Sequence, residues 1–279
     1  MLPNNPLKQY FRQPAIYVKL PSQGQFYPDG TLEMPPNGEI PVYPMTAIDE
    51  IAYRTPDALF NGSAVVSVVK SCVPNIKNPW AIPSVDVDTL LISIRIASYG
   101  HEMDINTKCP KCGEEANHGL DLRSVLDNIK PANYEQVLRN GDMEFYFKPM
   151  TYQDLNENNQ MQFEEQRMIQ TLSDVNATDQ QRAETMSMAL KKITEITVKA
   201  MGQSISAIKT PTALVTERDF IDDLLKNCDR QLFTKIRDHV INLKAAAEIQ
   251  PLKLKCGSCG NEYQQSITLD MSSFFADAS

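Results

Sequence analysis

Apolar positions recur at helical spacing through much of the chain, and at strand spacing only in short stretches. Met186, Ala189, Leu190, Ile193, Thr197 and Ala200 form one such stripe, begun by Thr178-Asp179-Gln180-Gln181 and stopped by Gly202. With a second helix over 151–174 this stripe predicts a helical hairpin. Thr216-Glu217-Arg218-Asp219 opens a further helix bearing Phe220, Ile221, Leu224 and Leu225. The next carries Leu232, Phe233, Ile236, Val240 and Leu243 until Gln250-Pro251 ends it. Upstream the pattern is shorter: one helix over 63–72, and one over 85–99 started by Ser84. Asp86 and Asp88 stand in its first turn, where carboxylates complement the helix dipole, and Gly100 closes it. The pattern predicts a mainly α fold with small β elements, of the α+β class.

Nine of the 18 prolines lie in the first 44 residues. Each removes an amide donor and biases its predecessor toward extended geometry, so no long helix fits there. Residues 1–37 read as an extended, Pro-rich arm. It docks on a partner or wraps on its own domain, and both readings stay open here. As partner contacts the aromatic residues Tyr10, Phe11, Phe26 and Tyr27 stand out, because aromatics bury large areas with few rotors.

Two stretches repeat one another. Glu39-Ile40-Pro41-Val42-Tyr43-Pro44-Met45-Thr46, followed by Asp49, matches Glu144-Phe145-Tyr146-Phe147-Lys148-Pro149-Met150-Thr151, followed by Asp154. In each, an extended segment ends in Pro-Met-Thr, and the Thr with the Asp three positions on forms a helix start akin to a capping box. Helical segments, a charged lead-in and a Cys-x-x-Cys-Gly follow in both copies. Each then leads to a short apolar strand, Leu120-Asp121-Leu122 in the first copy and Ile267-Thr268-Leu269-Asp270-Met271 in the second. Three landmarks in one order predict an internal duplication: a first repeat unit over 38–140 and a second over 141–279, the latter enlarged by the helical hairpin.

Composition narrows the function. The 279 residues are 42% hydrophobic, which excludes disorder throughout, and 27 basic against 35 acidic residues give a net charge of -8. Nothing in that balance draws the chain to phosphate backbones or anionic lipid. The longest apolar run, 90–97, already contains Arg95 and is far short of the roughly 20 residues that cross a bilayer. The first residues lack the features of a secretory signal, so a reducing cytoplasm is the expected compartment.

There, six cysteines are read for metal rather than disulfide chemistry. Cys109-Pro110-Lys111-Cys112-Gly113 and Cys256-Gly257-Ser258-Cys259-Gly260 are two zinc-knuckle hairpins, tight turns that each aim two thiolates at one ion. A tetrahedral ion needs four ligands. Either the four cysteines share one zinc, or each knuckle recruits a local histidine, with His101 and His118 available to the first. No histidine follows Cys259, and His239 lies in a helix upstream, which favours the shared site. Closing its loop of roughly 143 residues costs about 4 kcal/mol, against an apparent 10–16 kcal/mol for structural zinc. Four thiolates leave no open coordination position, so this zinc is a staple. Cys72 and Cys228 read as small buried hydrophobes. Phosphate-cradling glycine loops, H-E-x-x-H and G-x-S-x-G are all absent from the sequence, and no catalytic residue is assigned.

The segments Lys19-Leu20-Pro21-Ser22-Gln23-Gly24-Gln25-Phe26-Tyr27-Pro28, 39–46 and Ser71-Cys72-Val73-Pro74-Asn75-Ile76-Lys77 resemble the baseplate hub subunits of T-even-like contractile-tailed bacteriophages. The likeness runs from Tyr17 to the first knuckle. It implies a non-enzymatic tail protein, assembled in the host cytoplasm, whose partners are other baseplate and tail chains. A transient assembly chaperone absent from the virion fits the same resemblance. A zinc-ribbon nucleic-acid regulator is the rival of another class: Lys108, Lys111, Lys253 and Lys255 would gather if the knuckles met, although the net charge weighs against it.

Overall fold

The computed structural model describes residues 5–53, 62–171 and 179–267. Among them are eight α-helices and ten short strands, all paired antiparallel, so the fold is mixed α+β. The chain divides into two compact units. One comprises residues 1–79, 86–131 and 247–279, and the other residues 80–85 and 132–246.

In the first unit, β1 (Ile16–Val18) pairs with β2 (Ile40–Val42). Helices α1 (Ala47–Tyr53) and α2 (Ser63–Cys72) follow, then α3 (Ser84–Tyr99), most of which belongs here. Val65, Val68, Val69 and Cys72 on α2 and Leu90, Leu91 and Ile94 on α3 are buried, as the spacing of apolar positions requires. Beyond α3, β3 (Glu102–Lys108) and β4 (Glu115–Asp121) form a seven-residue ribbon. Leu122, read from sequence as strand, instead opens α4 (Leu122–Asn128), because the Asp121 side chain caps the Arg123 amide at 2.9 Å.

The Pro-rich N-terminus is built into this unit from Arg12 onward. Leu32 bridges to Ile76, the Glu33 amide donates to Asn75 O at 2.9 Å, and the Lys77 amide donates to Thr31 O at 2.8 Å. Arg12 donates to the Pro44 carbonyl and to both the carbonyl and Oγ of Ser71, the last two at 2.7 and 2.8 Å. The wrapped reading of the arm therefore describes residues 12–37. The short 3-10 turn before them, Pro6–Tyr10, has no buried residue.

The Pro-Ser-x-Gly-x-x-Tyr-Pro stretch closes on α3. Its turn places Gln23, Gly24 and Phe26 at left-handed φ, the backbone conformation that favours glycine at position 24. The turn aims three donors at Asp86. The Ser22 amide stands 2.7 Å from Oδ1, the Ser22 hydroxyl reaches Oδ2, and the Tyr27 hydroxyl donates to Oδ2 at 3.0 Å. Burial pushes Asp86 up to about 6 against the lowering pull of these bonds. A carboxyl raised above its unfolded value contributes stability at low pH that is lost as pH rises through about 6. Asp86→Asn keeps an acceptor for Ser22 and removes the ionisation. Relative to the parent, this variant is expected to gain on the order of 2 to 3 kcal/mol between pH 4 and 7. Urea denaturation across that range checks it, and a pH-independent difference would refute this account of Asp86.

The second unit holds a four-stranded sheet in the order β5 (Leu138–Asn140), β6 (Met143–Phe147), β7 (Ile205–Lys209), β8 (Leu214–Val215). Helices α5 (Tyr152–Thr171), α6 (Asp179–Gln203), α7 (Arg218–Asn227) and α8 (Arg230–Lys244) complete it. Its core joins Phe145, Phe147, Ile205 and Ile208 of the sheet to Val198, Met201, Ile221, Leu225, Leu232 and Ile236 of the helices. α5 and α6 form the expected hairpin, tied by Glu157 to Lys199 at 3.0 Å, Glu164 to Lys192 at 3.1 Å, and Asn158 to Gln203 at 2.9 Å. Residues 172–174 of the first expected helix and the expected cap Thr178 of the second lie outside the described residues.

The stripe read for α6 is only partly the buried face. Of its members Ala189 is buried and Ala200 half-buried, whereas Met186 and Leu190 are 48% and 57% exposed, and the buried face is completed by Ile196, Val198 and Met201. Lys192, Lys199 and Gln203 engage α5, so polar contacts share the inner face with the apolar residues, and Met186 and Leu190 stand outside.

Candidate metal centre

Two hairpins of the first unit build the centre. The β3–β4 ribbon carries Cys109 and Cys112 in its turn. The last ribbon, β9 (Leu252–Lys255) with β10 (Glu262–Gln265), carries Cys256 and Cys259. The sequence reading placed strands only after the knuckles. In the structure each knuckle sits between two strands, and the lysine-containing lead-ins 102–108 and 252–255 are the missing partners. Of the strand expected at 267–271, β10 ends at Gln265, and residues 268–271 lie outside the described residues.

The two turns have the same backbone geometry. Cys109 N donates to Glu114 O at 2.8 Å and Gly113 N to Cys109 O at 2.9 Å. In the second, Cys256 N donates to Asn261 O at 2.9 Å and Gly260 N to Cys256 O at 3.0 Å. Register agrees too, Lys108 opposite Glu115 and Lys255 opposite Glu262. Gly113 and Gly260 stand at φ of 75° and 68°, the left-handed step that ends each turn and that a side chain would strain.

These turns bring the four thiols together. Their sulfur atoms all lie within 4.8 Å of one another, with Cys109 to Cys259 at 3.7 Å and Cys112 to Cys256 at 3.6 Å. Sulfurs about 2.3 Å from a common tetrahedral centre are spaced by roughly 3.8 Å, whereas a disulfide brings them to about 2.05 Å. The cluster thus has the dimensions of a four-thiolate metal site. One cysteine of each knuckle is buried and the other exposed. The amide of Cys112 and then that of Lys111 hold the Cys109 thiol well below its usual range, as N–H donors directed at a thiolate do. The Glu114 amide pulls Cys112 down, but the thiols of Cys259, Cys109 and Cys256 outweigh it and leave Cys112 raised.

A cross-ribbon bond reinforces the pairing. Thr107 Oγ1 and Tyr263 Oη are 2.8 Å apart, with Thr107 buried. Neither residue was legible as part of the centre, because nothing in the spacing of Thr107 and Tyr263 ties two ribbons some 150 residues apart.

None of the histidines is part of the four-thiol cluster. His118 lies on β4 opposite Ile105, and His239 meets Gln136 O at 3.0 Å in the second unit. Cys72 is fully buried, its thiol pushed up to about 12 by that burial and by the Asp49 charge, so it is an unreactive packing group. Cys228 is raised by burial and donates to Leu225 O. Of the aromatic contact candidates, Tyr10 and Phe11 are 77% and 55% exposed, and Phe26 stands at the left-handed step of its turn. Tyr27 points inward and commits its hydroxyl to Asp86. No helix among the described residues is long and apolar enough to cross a membrane.

No curated protein and no solved structure matches the chain. A family model does, over residues 17–276, a span that takes in the Pro-Ser-x-Gly-x-x-Tyr-Pro turn, both Pro-Met-Thr helix starts and both knuckles. On that match the chain belongs to the T4 bacteriophage base plate protein family.

Proposed function

We propose that this protein is a non-enzymatic structural subunit of the tail baseplate, at or near its hub, stapled by one zinc ion on Cys109, Cys112, Cys256 and Cys259. Membership of the baseplate family carries the first part. The observation that carries the staple is the sulfur spacing of 3.6 and 3.7 Å between cysteines contributed by distant hairpins. Four soft thiolates select zinc over hard cations, and a closed four-sulfur shell leaves no position for substrate.

Duplication supports the same reading. Both Pro-Met-Thr segments build the same helix start: Thr46 N and Oγ1 each donate to Asp49 Oδ2 at 2.8 Å, and Thr151 N and Oγ1 donate to Asp154 Oδ2 at 3.0 and 2.7 Å. With the matching knuckles, the landmarks repeat in geometry as well as in sequence. On this reading two copies, 38–140 and 141–279, exchange their cysteine hairpins into one metal site. Tyr10, Phe11 and Phe26 are the aromatic contacts offered to other tail chains, which the chain meets while tails assemble in the host cytoplasm.

Native mass spectrometry of the purified protein tests the staple. One zinc per chain is expected, displaced by acid or chelator, and a metal-free chain or two ions per chain would overturn the shared site. Mass spectrometry of purified virions separates a resident subunit from a transient assembly factor.

A further inference from the structure

A groove of about 660 Å³ runs through the first unit between β1 and α4. Residues 16–21 line it without a gap. Side chains of a strand alternate between faces, so an unbroken run of neighbours lines a groove only where the groove follows the strand's edge. The backbone groups on that edge follow from Pro41. Tyr17 is paired with Pro41, which has no N–H, so this is a non-hydrogen-bonded pair and Ile16 and Val18 make the bonds to β2. The N–H and C=O of Tyr17 point away from β2 into the groove.

The facing wall is one side of a helix. Arg123, Leu126 and Asp127 lie at the three- and four-residue spacing of a single face of α4, and Ile129 and Lys130 continue the wall past its end. Among the lining residues is Thr89 of α3, 2% exposed, whose hydroxyl has no hydrogen-bond partner among the described residues. A buried hydroxyl without a partner costs free energy that a ligand atom would recover.

We infer that this groove is a strand-addition site that takes an extended segment of another baseplate chain, laid along the β1 edge against α4. The outward donor and acceptor of Tyr17, on the edge of β1 away from β2, are matched by another extended backbone. Lys19, Arg123 and Lys130 on the walls stand against Glu39 and Asp127, and Asp121 meets Arg123 at 2.7 Å, so the charges balance and the site selects a segment of little net charge. Leu126 and Ile129, half-buried, provide the apolar wall for its alternate side chains. The inference rests on the baseplate reading for the source of the segment.

The test uses the full-length chain, tagged, in tail structures purified from infected cells. Amide exchange at Tyr17 is expected to slow at least tenfold relative to the free chain. Amine cross-links from Lys19 and Lys130 are expected to converge on one segment of a different tail chain. Tyr17→Pro removes the outward N–H and leaves the β2 bonds of Ile16 and Val18 intact. It is expected to keep the parent melting temperature while abolishing the protection and cutting completed tails at least tenfold. Should that variant not fold, Ile129→Arg obstructs the groove from its rim and is expected to give the same loss. Equal exchange in free and assembled chain overturns the site. So do cross-links that land only on residues 268–279 of the same chain or on a second copy. A chain that associates with no tail structure overturns the baseplate reading as well, whereas association with an unprotected β1 edge overturns the groove alone.

Discussion

Stripping the metal with a strong chelator is expected to lower the melting temperature of the first unit by about 10 °C or more, and to open residues 247–267 to protease. The magnitude follows from the thiolate site. Structural zinc contributes an apparent 10–16 kcal/mol in small peptides, and closing the loop between the knuckles takes back about 4 kcal/mol. Even half of the remainder, at roughly 2 to 4 °C per kcal/mol for a chain portion of this size, gives a shift of that order. What is left to hold the second hairpin is a short ribbon of four-residue strands and the Thr107–Tyr263 bond, and an isolated two-stranded hairpin is marginal in water. Cys112→Ser and Cys259→Ser should each reproduce the effect, because both side chains are exposed and serve no packing role. Cys228→Ser should retain the full metal content. Differential scanning calorimetry with and without chelator, alongside a protease map, decides it: an unchanged melting curve and an unchanged cleavage pattern on chelation would falsify the staple.

How much of this was legible in the sequence depends on the range over which each signal acts. Helix starts were readable because their chemistry is local: Thr46 with Asp49 and Thr151 with Asp154 sit three residues apart and bond as the capping pattern requires. The convergence of the four cysteines was readable because each tight turn offers two thiols and a tetrahedral ion needs four ligands. The strands β3 and β9 do alternate, Met103 and Ile105 with Glu102, Asp104 and Asn106, and Leu252 and Leu254 with Lys253 and Lys255, but in runs this short and this charged the period was read only as a lead-in to the knuckles. Nor was the exposed face of α6, which depends on where α5 lays Glu157 and Glu164. The Pro-Ser-x-Gly-x-x-Tyr-Pro turn was recognisable as a motif, but its purpose was not. Its serine and tyrosine converge on Asp86, about 60 residues downstream, and neither local spacing nor periodicity reports a contact of that length.

The same distinction between local and long-range partners governs the second large effect. Asp49→Ala is expected to cost about 4 kcal/mol, and its counterpart Asp154→Ala about 1 to 2 kcal/mol, although both remove the same cap. Each aspartate accepts from the amide and the hydroxyl of the threonine three residues earlier. Asp154 adds one neutral bond, from Gln203 Nε2 to Oδ1 at 2.7 Å. Asp49 is nearly buried and adds the Ser71 hydroxyl at 2.9 Å and the Arg12 guanidinium at 3.5 Å. Removing one member of such a partly desolvated ion pair leaves a cation short of its counter-charge, a loss larger than the pair's own net worth. Arg12 in turn binds the carbonyls of Pro44 and Ser71, so loosening it frees the start of the N-terminal segment from β2 and α2. Asp49→Asn retains an acceptor without the charge and should recover about half of the loss. Because the two aspartates belong to different compact units, urea denaturation followed by amide exchange can assign each destabilisation to its own unit. Equal costs at the two positions would show that the cap alone matters and that Arg12 contributes nothing to holding the segment down.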